Sequence, residues 1–588
     1  MSLFFSIFKK QYLKYWLLFF VFIASSWPLL QSGMFKIHDF THGARIAEMS
    51  RALSDGHFPV RWSQSFGFGY GMPLFQFYGP LPFYIGVIFY WLSNNLIFSV
   101  KTLFLIANAL TLVGGYLLGK KLFKNDWAAL GTSLAMSLAP YRFLNLYVRG
   151  ALSELWGIMA LPWIVWAAIK VIRNESWGWL MLVMSLSFLF LSHNISTMIF
   201  FPFIVGIIVV YLIAYCLNQK LNILEFFQAI KRLVFSGLLA LGTCAFYLFP
   251  AYFEKDLTQV DDFILAEYFN FRIHFLYLKQ FFRPNWGFGG SEYGPDDPIT
   301  FFLGYGQIMA LILGLVMLYL LSRKYFLNKN KKNQAVLFFV VGVLFLLFFS
   351  LFMTTWYSGS IWETLTLLEY SQFPWRFLGI SIFLMSIIVG IVLTKTKKFF
   401  YKRKINLIIN VFIILAILLN LRFTQPEKFL DNPEDFYYFD SQKISAEMSH
   451  TLADYVPQDF NLDLKPAQSF IVEQSYLEDG TVQVLENKTH YKRFLTNFDL
   501  LEQTTLAVAN YPIWELSRDN QTIAIKTDED GLIKFQPELG SQEYELKLKS
   551  TKIRKVSDYI SLISLLLLLT LVTINKKSST MIKNAKKS

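Results

Sequence analysis

Long apolar runs recur along most of this chain, and they constrain its fold more than any other feature. Of the 588 residues, 54% are apolar and only 16% are charged. A run of about 17 or more apolar residues is long enough to cross the hydrocarbon core of a bilayer as a helix. A helix also satisfies its own backbone hydrogen bonds there. The sequence therefore predicts a polytopic α-helical membrane protein.

The formal net charge of +13 is explained by membrane topology rather than by nucleic-acid binding. Lys and Arg residues concentrate in five stretches that flank apolar runs, at 9–14, 120–124, 323–332, 395–404 and 576–587. Basic residues favour the cytoplasmic side of a membrane. We therefore expect both termini to be cytoplasmic, in the plasma membrane of a cell, and we expect no nucleic-acid partner.

The cysteine pattern and the first apolar run narrow the class further. Cys216 and Cys244 both lie in apolar segments, so no disulfide framework or cysteine metal site is indicated. The first run follows basic residues as a signal peptide does, but it lacks a small-residue cleavage site. It is predicted to be a retained helix.

Threading the apolar runs through the bilayer predicts about twelve transmembrane helices. The run at 80–92 is short and begins with two prolines, Pro80 and Pro82, so we expect it to lie along the outer surface. The predicted spans are 14–32, 102–119, 127–147, 155–172, 177–192, 197–216, 231–250, 303–321, 334–354, 373–394, 405–421 and 558–574.

This threading divides the chain into three parts. Residues 1–421 form a transmembrane domain with a large outer loop at 33–101, residues 422–557 form an extracytoplasmic domain, and residues 558–588 form the final helix and a basic tail. The middle part alternates apolar and polar residues in SFIVEQSY, GTVQVLEN, TIAIKTDED, LIKFQPEL and EYELKLK. This period of two predicts a small β-rich domain, with a sandwich as the expected form.

Asp39 is the first candidate for chemistry, because it follows the first span at the expected membrane surface. One interpretation is a cap for an amphipathic segment whose Arg45, Glu48 and Arg51 face water. The other is a carboxylate that accepts a proton from an incoming hydroxyl group. His38 beside it is a candidate substrate contact.

Further polar candidates lie where other predicted spans begin or end on the same side. Glu154, with Arg149 five residues earlier, could be a helix-start acid in an ordinary ion pair or a second functional acid. His193 and Asn194 occupy a tight turn between two apolar helices, where ionisable groups are functional candidates.

The stretch QFPWRFLG supplies the last candidates, Trp375 and Arg376. The arginine could extend to the membrane surface or could bind a phosphate through its planar set of donors. Arg272 and Arg283 are weaker candidates for the same role. The glycine-rich FGFGYGMP does not lie between a strand and a helix, so it does not predict a nucleotide loop.

Aromatic residues crowd the predicted outer loop. They suit an isoprenoid chain or sugar faces, or simple anchoring at the interface. They are Trp62, Phe66, Phe68, Tyr70, Phe75, Phe77 and Tyr78.

In this order the motifs resemble the GT-C-type membrane glycosyltransferases. APYRFLNLYVRGALSE is similar, with looser spacing, to a stretch of oligosaccharyltransferase catalytic subunits. HDFTHGARI, YVRGALSELW, LSHN, QFPWRFLG and the later NYPIW and DGLIKF look like the bacterial 6-pyruvoyl-tetrahydropterin-synthase-related membrane proteins, akin to YfhO-type glycosyltransferases.

The resemblance implies a polyprenyl-phosphate sugar donor in the membrane lipid and transfer on the outer face to a cell-envelope glycan or polymer. It implies that Asp39 is the catalytic acid residue, that Glu154 is a second acidic position, and that Arg376 contacts phosphate. A divalent cation, Mg or Mn, held by Asp39 and Glu154 is a further possibility.

Two other function classes remain open. A lipid or sugar transporter would place charged residues deep within its helices, and the sequence has few of these. A non-catalytic envelope assembly protein would keep the fold and tolerate the loss of Asp39.

Overall fold

The computed structural model describes residues 13–219, 221–264, 267–328, 331–399, 403–437, 439–448, 453–470, 480–498 and 503–585. Lys9, Lys10, Lys329, Lys402, Lys586 and Lys587 of the basic stretches lie outside these residues. So does most of the predicted strand SFIVEQSY.

The N-terminal half is helical. Its helices are α1 (Leu13–Leu30), α2 (His42–Ser54), α3 (Leu74–Phe77), α4 (Leu81–Ser93), α5 (Leu96–Phe123), α6 (Asp126–Ser137), α7 (Pro140–Tyr147), α8 (Leu152–Ile172), α9 (Gly178–Ser192), α10 (Asn194–Gln219), α11 (Ile223–Thr243), α12 (Ala245–Phe253) and α13 (Val260–Ile264).

The C-terminal half contains more helices and all eight described strands. The helices are α14 (Tyr305–Asn328), α15 (Lys331–Phe352), α16 (Gly359–Thr364), α17 (Leu378–Phe399), α18 (Arg403–Leu418), α19 (Ser441–Lys443) and α20 (Lys552–Ala585). The strands are β1 (Gly480–Lys488), β2 (Tyr491–Phe498), β3 (Thr504–Ala509), β4 (Trp514–Arg518), β5 (Gln521–Ile523), β6 (Lys526–Thr527), β7 (Leu532–Phe535) and β8 (Gly540–Leu548).

The protein is a multi-pass membrane protein. Within the described residues, nine helices are long and apolar enough to cross a bilayer, and α11 with α12 makes a tenth span if the pair, bent by 73°, counts as one. The other two predicted spans differ. The 177–192 span is the 15-residue helix α9, and the 127–147 span is divided between α6 and α7.

The break between α6 and α7 still lets the chain return across the bundle. Trp156 donates to the Leu103 carbonyl at 3.2 Å and Trp163 donates to the Leu110 carbonyl at 2.9 Å. From the first contact to the second, the residue numbers rise by seven on both helices, so α5 and α8 run in the same direction. The segment between them therefore has to cross back.

Arg142 satisfies backbone groups at this break. Its guanidinium donates to the Ser137 carbonyl at 3.1 Å, to the Ala107 carbonyl at 3.1 Å and to Asn108 Oδ1 at 2.7 Å. A carbonyl freed by a helix break inside an apolar bundle needs such a partner. This buried arginine is a structural element that the sequence analysis did not single out.

The β-rich region before the last helix consists of two antiparallel sheets. One has the order β1-β2-β8-β4-β5 and the other β3-β7-β6. Phe535 of β7 contacts Phe494 of β2 and Tyr544 of β8, with ring centroids 6.1 Å and 5.2 Å apart, so the sheets pack against each other. The sequence predicted β1, β7 and β8, and it merged β5 with β6.

The glycine-rich loop after α2 binds the C-terminal outer region, including the β-rich part, through backbone hydrogen bonds. The Phe68 carbonyl accepts from Ala467 N at 2.8 Å and the Tyr70 carbonyl accepts from Ala509 N at 2.9 Å. Gly71 has φ +86°, and a Cβ there would lie 2.5 Å from Trp62 Nε1, so only glycine fits this turn. The motif is structural, in agreement with its rejection as a nucleotide loop.

Burial excludes interface anchoring for most of the outer-loop aromatics. Six of the seven are at most 7% exposed and belong to the core; they are Trp62, Phe66, Phe68, Tyr70, Phe75 and Phe77. Of these, Trp62 and Tyr70 also line a cavity. Aromatic content alone does not distinguish a loop at the membrane surface from one buried under a second domain.

A buried ion pair joins the last helix to the rest of the molecule. Arg554 Nε of α20 lies 2.8 Å from Glu254 Oε2, and both side chains are 3% exposed. Thr551 also donates to Glu254 at 2.5 Å. Removal of one member of such a pair leaves an uncompensated buried charge.

We predict that Arg554→Met lowers the free energy of unfolding in micelles by about 3–5 kcal/mol. The double variant with Glu254→Gln should regain part of this loss, since it removes the unpaired charge. Arg493→Met is the control: its pair with Glu543 is exposed, so its loss should cost less than about 1 kcal/mol. Equal effects of Arg554→Met and Arg493→Met would contradict the pairing.

Candidate active site

The motifs HDFTHGARI and YVRGALSELW contact each other through backbone hydrogen bonds. His38 N donates to the Val148 carbonyl at 2.9 Å, and Asp39 N donates to the Arg149 carbonyl at 2.8 Å. Gly150 has φ +65°, and a Cβ there would lie 2.4 Å from Ile37 Cδ1. Glycine is thus required at position 150 for two reasons: its positive φ and the close approach of the two segments.

Asp39 is held as a carboxylate at the start of α2. Its Oδ1 accepts from the Thr41 hydroxyl at 3.0 Å and lies 3.5 Å from Arg45 Nη1, and its Oδ2 lies 3.5 Å from His42 Nε2. Burial acts to raise the pKa of Asp39, but His42, Arg45 and Thr41 outweigh it and hold the pKa below its usual range. The side chain is 30% exposed, so this anion remains accessible.

Glu154 is a buried carboxylate whose oxygens are both engaged. Oε1 accepts from the Tyr141 hydroxyl and from Asn145 Nδ2, the latter at 3.0 Å. Oε2 accepts from Arg149 Nη1 at 2.9 Å and lies 3.6 Å from Arg376 Nε. The side chain is 2% exposed, so Glu154 positions arginines and is not a surface ion pair.

The two arginines around Glu154 are fixed by aromatic rings and carbonyls. The Arg149 guanidinium lies 4.4 Å from the Trp375 ring, and Trp375 Nε1 donates to Ser291 Oγ at 3.2 Å. Arg376 Nη1 donates to the Ser371 carbonyl at 2.9 Å. Among the described residues Arg376 Nε has no hydrogen-bond partner, although it is buried. An orphaned buried donor of this kind is suited to an incoming anion.

His193 lies in the same electrostatic environment. Its Nδ1 accepts from Ser196 N at 3.2 Å. Burial lowers the pKa of His193 to about 3, and the charges of Arg376, Glu154, Arg149 and Asp39 also act on its ring. The structure therefore brings five predicted site residues together with Arg45 in one cluster, which we call the arginine cluster: Asp39, Arg45, Arg149, Glu154, His193 and Arg376.

Two other predicted residues have more peripheral positions. His38 is exposed, and its Nε2 lies 2.7 Å from the Phe288 carbonyl. It therefore links the segment before α2 to the loop between α13 and α14. Asn194 donates to the Phe77 carbonyl at 2.9 Å and accepts from the Tyr247 hydroxyl at 2.7 Å. Both ends of its amide are engaged, which indicates a structural link.

The weaker arginine candidates do not enter the cluster. Arg272 pairs with Glu363 at 2.5 Å, and Arg283 pairs with Asp296 at 2.7 Å. These are exposed ion pairs of the outer loops.

The prediction that Arg45, Glu48 and Arg51 face water is wrong. Arg45 and Glu48 are each 1% exposed, and only Arg51 is partly accessible. Glu48 accepts from Ser63 Oγ at 2.7 Å and from Ser65 N at 2.8 Å, so it fastens the glycine-rich loop. A helix that lies under a second domain has no water-facing side, which the sequence period cannot reveal.

His42, Arg45, Tyr78 and Tyr141 are site residues that the sequence analysis missed. The Arg45 guanidinium lies 4.0 Å from the Tyr78 ring and 3.4 Å from His42 Nδ1. Asp39, His42 and Arg45 follow one another at intervals of three, which places them on one side of a helical turn. That spacing in HDFTHGARI was the available signal.

The arrangement does not fit a divalent cation between Asp39 and Glu154. Within the described ranges no group of three or more His, Cys, Asp or Glu side chains could hold a metal ion. The oxygens of Glu154 are occupied by donors, and three arginines surround the two acids. This donor set fits an anion.

The sequence of this chain is similar to a curated protein over part of its length. No family model matches the chain, so the finer resemblance to the 6-pyruvoyl-tetrahydropterin-synthase-related proteins stays a prediction. An uncharacterized protein of Lactococcus lactis subsp. cremoris (strain MG1363) is 25% identical over 251 residues, which cover 41% of this chain and 40% of that protein.

Among solved structures, the chain is similar to the Archaeoglobus fulgidus oligosaccharyltransferase, with 11% identity and a TM-score of 0.41 over 74% of this chain and 60% of that one. The same archaeal protein has also been solved with Zn and sulfate and with dolichol-phosphate. ArnT from Cupriavidus metallidurans, bound to undecaprenyl phosphate, is similar at 10% identity and a TM-score of 0.35 over 75% and 76% of the two chains. Since these TM-scores lie below 0.5, a function has to be argued from the residues of this chain.

We predict that Gly150→Ala separates the two motifs and destabilises the protein. Gly56→Ala is the matched control, because Gly56 also has a positive φ, +84°, but has nothing within 4 Å of a Cβ. Gly150→Ala should cost at least about 2 kcal/mol more than the control, as overpacking adds to the strain. Denaturant unfolding in micelles measures this difference, and equal losses would refute the close contact.

Proposed function

We propose that this protein is a membrane glycosyltransferase that moves a sugar from a polyprenyl-phosphate donor to a cell-envelope acceptor on the outer face. Asp39 would act as the general base. The observation that carries the proposal is the surplus of one positive charge in the arginine cluster, close to an accessible carboxylate.

The charge count selects the kind of ligand. Arg45, Arg149 and Arg376 carry three positive charges against the two negative charges of Asp39 and Glu154. Asp454 also interacts with Arg45, but burial raises the pKa of Asp454 and disfavours its charged form. The imidazoles add none at neutral pH, since burial lowers the pKa of His38, His42 and His193. A lipid-linked sugar phosphodiester carries one negative charge, and arginine donors bind phosphate oxygens well.

An apolar groove runs along the helical bundle at a greater depth than the cluster. It has a volume of about 360 Å³ and runs between α5, α8 and α9. Its lining residues include Met159 and Trp163 of α8 and Phe188 of α9. On α8 they lie 5 to 12 positions beyond Glu154, which is roughly 8–18 Å deeper at the rise of an α-helix. Trp163 follows Glu154 by nine residues, so the groove lies on the side of α8 that faces away from the cluster, and a lipid chain bound there would pass around this helix.

The proposed reaction needs few groups. Asp39 would take the proton of the acceptor hydroxyl as its oxygen attacks the anomeric carbon, and the donor phosphate would leave toward Arg149 and Arg376. The phosphate charge, brought close to Asp39, would also raise its affinity for that proton. Attack from the side opposite the phosphate by one oxygen predicts inversion at the anomeric carbon.

The outer-face assignment follows from the threading. Lys14 and Lys120 both contact Asp126, at 3.1 Å and 2.5 Å, so the start of α1 and the end of α5 lie at the same end of the bundle. Asp39 follows the opposite end of α1. If the basic ends are cytoplasmic, the cluster and the β-rich region are extracytoplasmic.

Asp39→Asn should lower the rate of sugar transfer by about 10²–10⁴, the usual contribution of a general base. The assay uses the purified full chain in vesicles with radiolabelled polyprenyl-phosphate sugar and an envelope extract as acceptor. Asp431→Asn, at an exposed outer carboxylate, is the control and should leave the rate unchanged. Full transfer by Asp39→Asn would favour a non-catalytic assembly role.

At low donor concentration, where the unliganded protein determines the pH dependence, the transfer rate should stay constant between about pH 5 and 8. The pKa of Asp39 in the unliganded protein lies below its ordinary value of 3.8, so the base stays ionised until the pH falls below that value. Because the pKa of Asp39 is lower in the folded protein, its ionised carboxylate stabilises the folded state at pH values above the ordinary pKa of the carboxyl group. This stabilisation is lost as the pH falls through the lowered pKa. An inflection of the rate between pH 5 and 8 that Asp39→Asn abolishes would contradict this assignment.

A further inference from the structure

A second cavity lies where the β-rich region meets the outer loop. Its volume is about 740 Å³, which is within the range of small-ligand sites. The walls come from the end of α2, the glycine-rich loop, α19, residues 466–470 and strands β1, β2 and β3. Among the lining residues are Gln64, Tyr70, Phe470, Asn487 and Lys492.

This cavity is separate from the arginine cluster. Arg51 and Asp55 line it at the C-terminal end of α2, whereas Asp39 lies before the first residue of that helix. The 13 residues of α2 place the two ends about 20 Å apart. The chemical group held in this cavity is therefore different from the group that reacts at Asp39.

The charges of the cavity compensate each other. Arg51 pairs with Glu48 at 2.6 Å. Asp55 accepts from Thr489 N at 2.7 Å. Burial lowers the pKa of Lys492 to about 7, although the charge of Asp55 acts in the opposite direction. Together with Glu48, the described lining residues have balanced charges when Lys492 is protonated and leave Asp55 uncompensated when it is not, so an uncharged molecule is favoured over an anion.

Two polar side chains of the cavity have unused hydrogen-bonding capacity, and this indicates which chemical groups the ligand must contain. Gln64 Oε1 is a buried acceptor with no hydrogen-bond partner among the described residues. Lys492 is 3% exposed, and its Nζ donates to Asn487 Oδ1 and, at 3.5 Å, to the Lys488 carbonyl, which leaves one hydrogen for a ligand. Hydroxyl groups both donate and accept, so they meet both needs.

We propose that this cavity binds a neutral saccharide, held by Gln64, Asn487 and Lys492 against the rings of Tyr70 and Phe470. That the bound saccharide is a distal unit of the acceptor rests on the function proposed above. Because the cavity is about 20 Å from Asp39, it would hold one part of a glycan while another part reaches the base.

Saturation-transfer-difference NMR tests the site directly. The full chain is placed in phosphatidylcholine nanodiscs, which contain no sugar, and is mixed with the trisaccharides of glucose, galactose, mannose and N-acetylglucosamine. At least one should give a signal with the wild type. Gln64→Leu and Lys492→Met should each weaken binding about fivefold, as expected for one lost hydrogen bond.

Matched variants separate this site from others. Lys526→Met removes an exposed lysine of β6 and should bind as the wild type does. Asp39→Asn should also bind normally, so a failure of the glycosyltransferase proposal would leave this result standing. Thermal unfolding shows that each variant is folded.

Three results would overturn the proposal. They are the absence of a signal with all four trisaccharides, equal binding by the wild type, Gln64→Leu and Lys492→Met, and binding of glycerol phosphate without binding of any trisaccharide. The last result would assign the cavity to an anionic polymer instead.

Discussion

The burial of three arginines with two carboxylates is the interaction on which the rest of this structure depends. Charged groups at the end of an apolar bundle are costly unless each has a close partner. Glu154 meets this requirement for Arg149 and Arg376, and Asp39 meets it for Arg45. The start of α2, the turn before α8 and the turn before α17 therefore converge on one point. The same arrangement leaves one surplus positive charge and one accessible anion, which are the features of a site for an anionic lipid.

Much of this could be predicted from the sequence, and the reasons are physical. Apolar length indicated a helix at every predicted span, and the polar residues left at the span ends are the ones that the fold brings together. Partner identity could not be predicted, because Glu154 of α8 contacts Tyr141 and Asn145 of α7 across the turn at residues 148–151. The burial of Arg45, Glu48 and the loop aromatics depends on residues hundreds of positions later in the chain, and local patterns carry no information about such packing.

The glycine-rich loop connects the two candidate sites. Its tight turns let the Phe68 and Tyr70 carbonyls bind the β-rich region from one side, while Glu48 fastens it to α2 from the other. Helix α2 then has the arginine cluster at its N-terminal end and the polar cavity at its C-terminal end. A rigid helix of about 20 Å fixes the distance between a reacting group and a more remote part of the same acceptor.

The central claim is that the surplus charge of the cluster holds the phosphate of a polyprenyl carrier. Electron cryomicroscopy of the full chain in nanodiscs with added polyprenyl phosphate tests it most directly. The account predicts phosphate density within about 3 Å of Arg149 or Arg376 guanidinium nitrogens, with the isoprenoid chain continuing into the hydrocarbon core of the bilayer. Density for the phosphate at any other place, with the cluster unliganded, would contradict it.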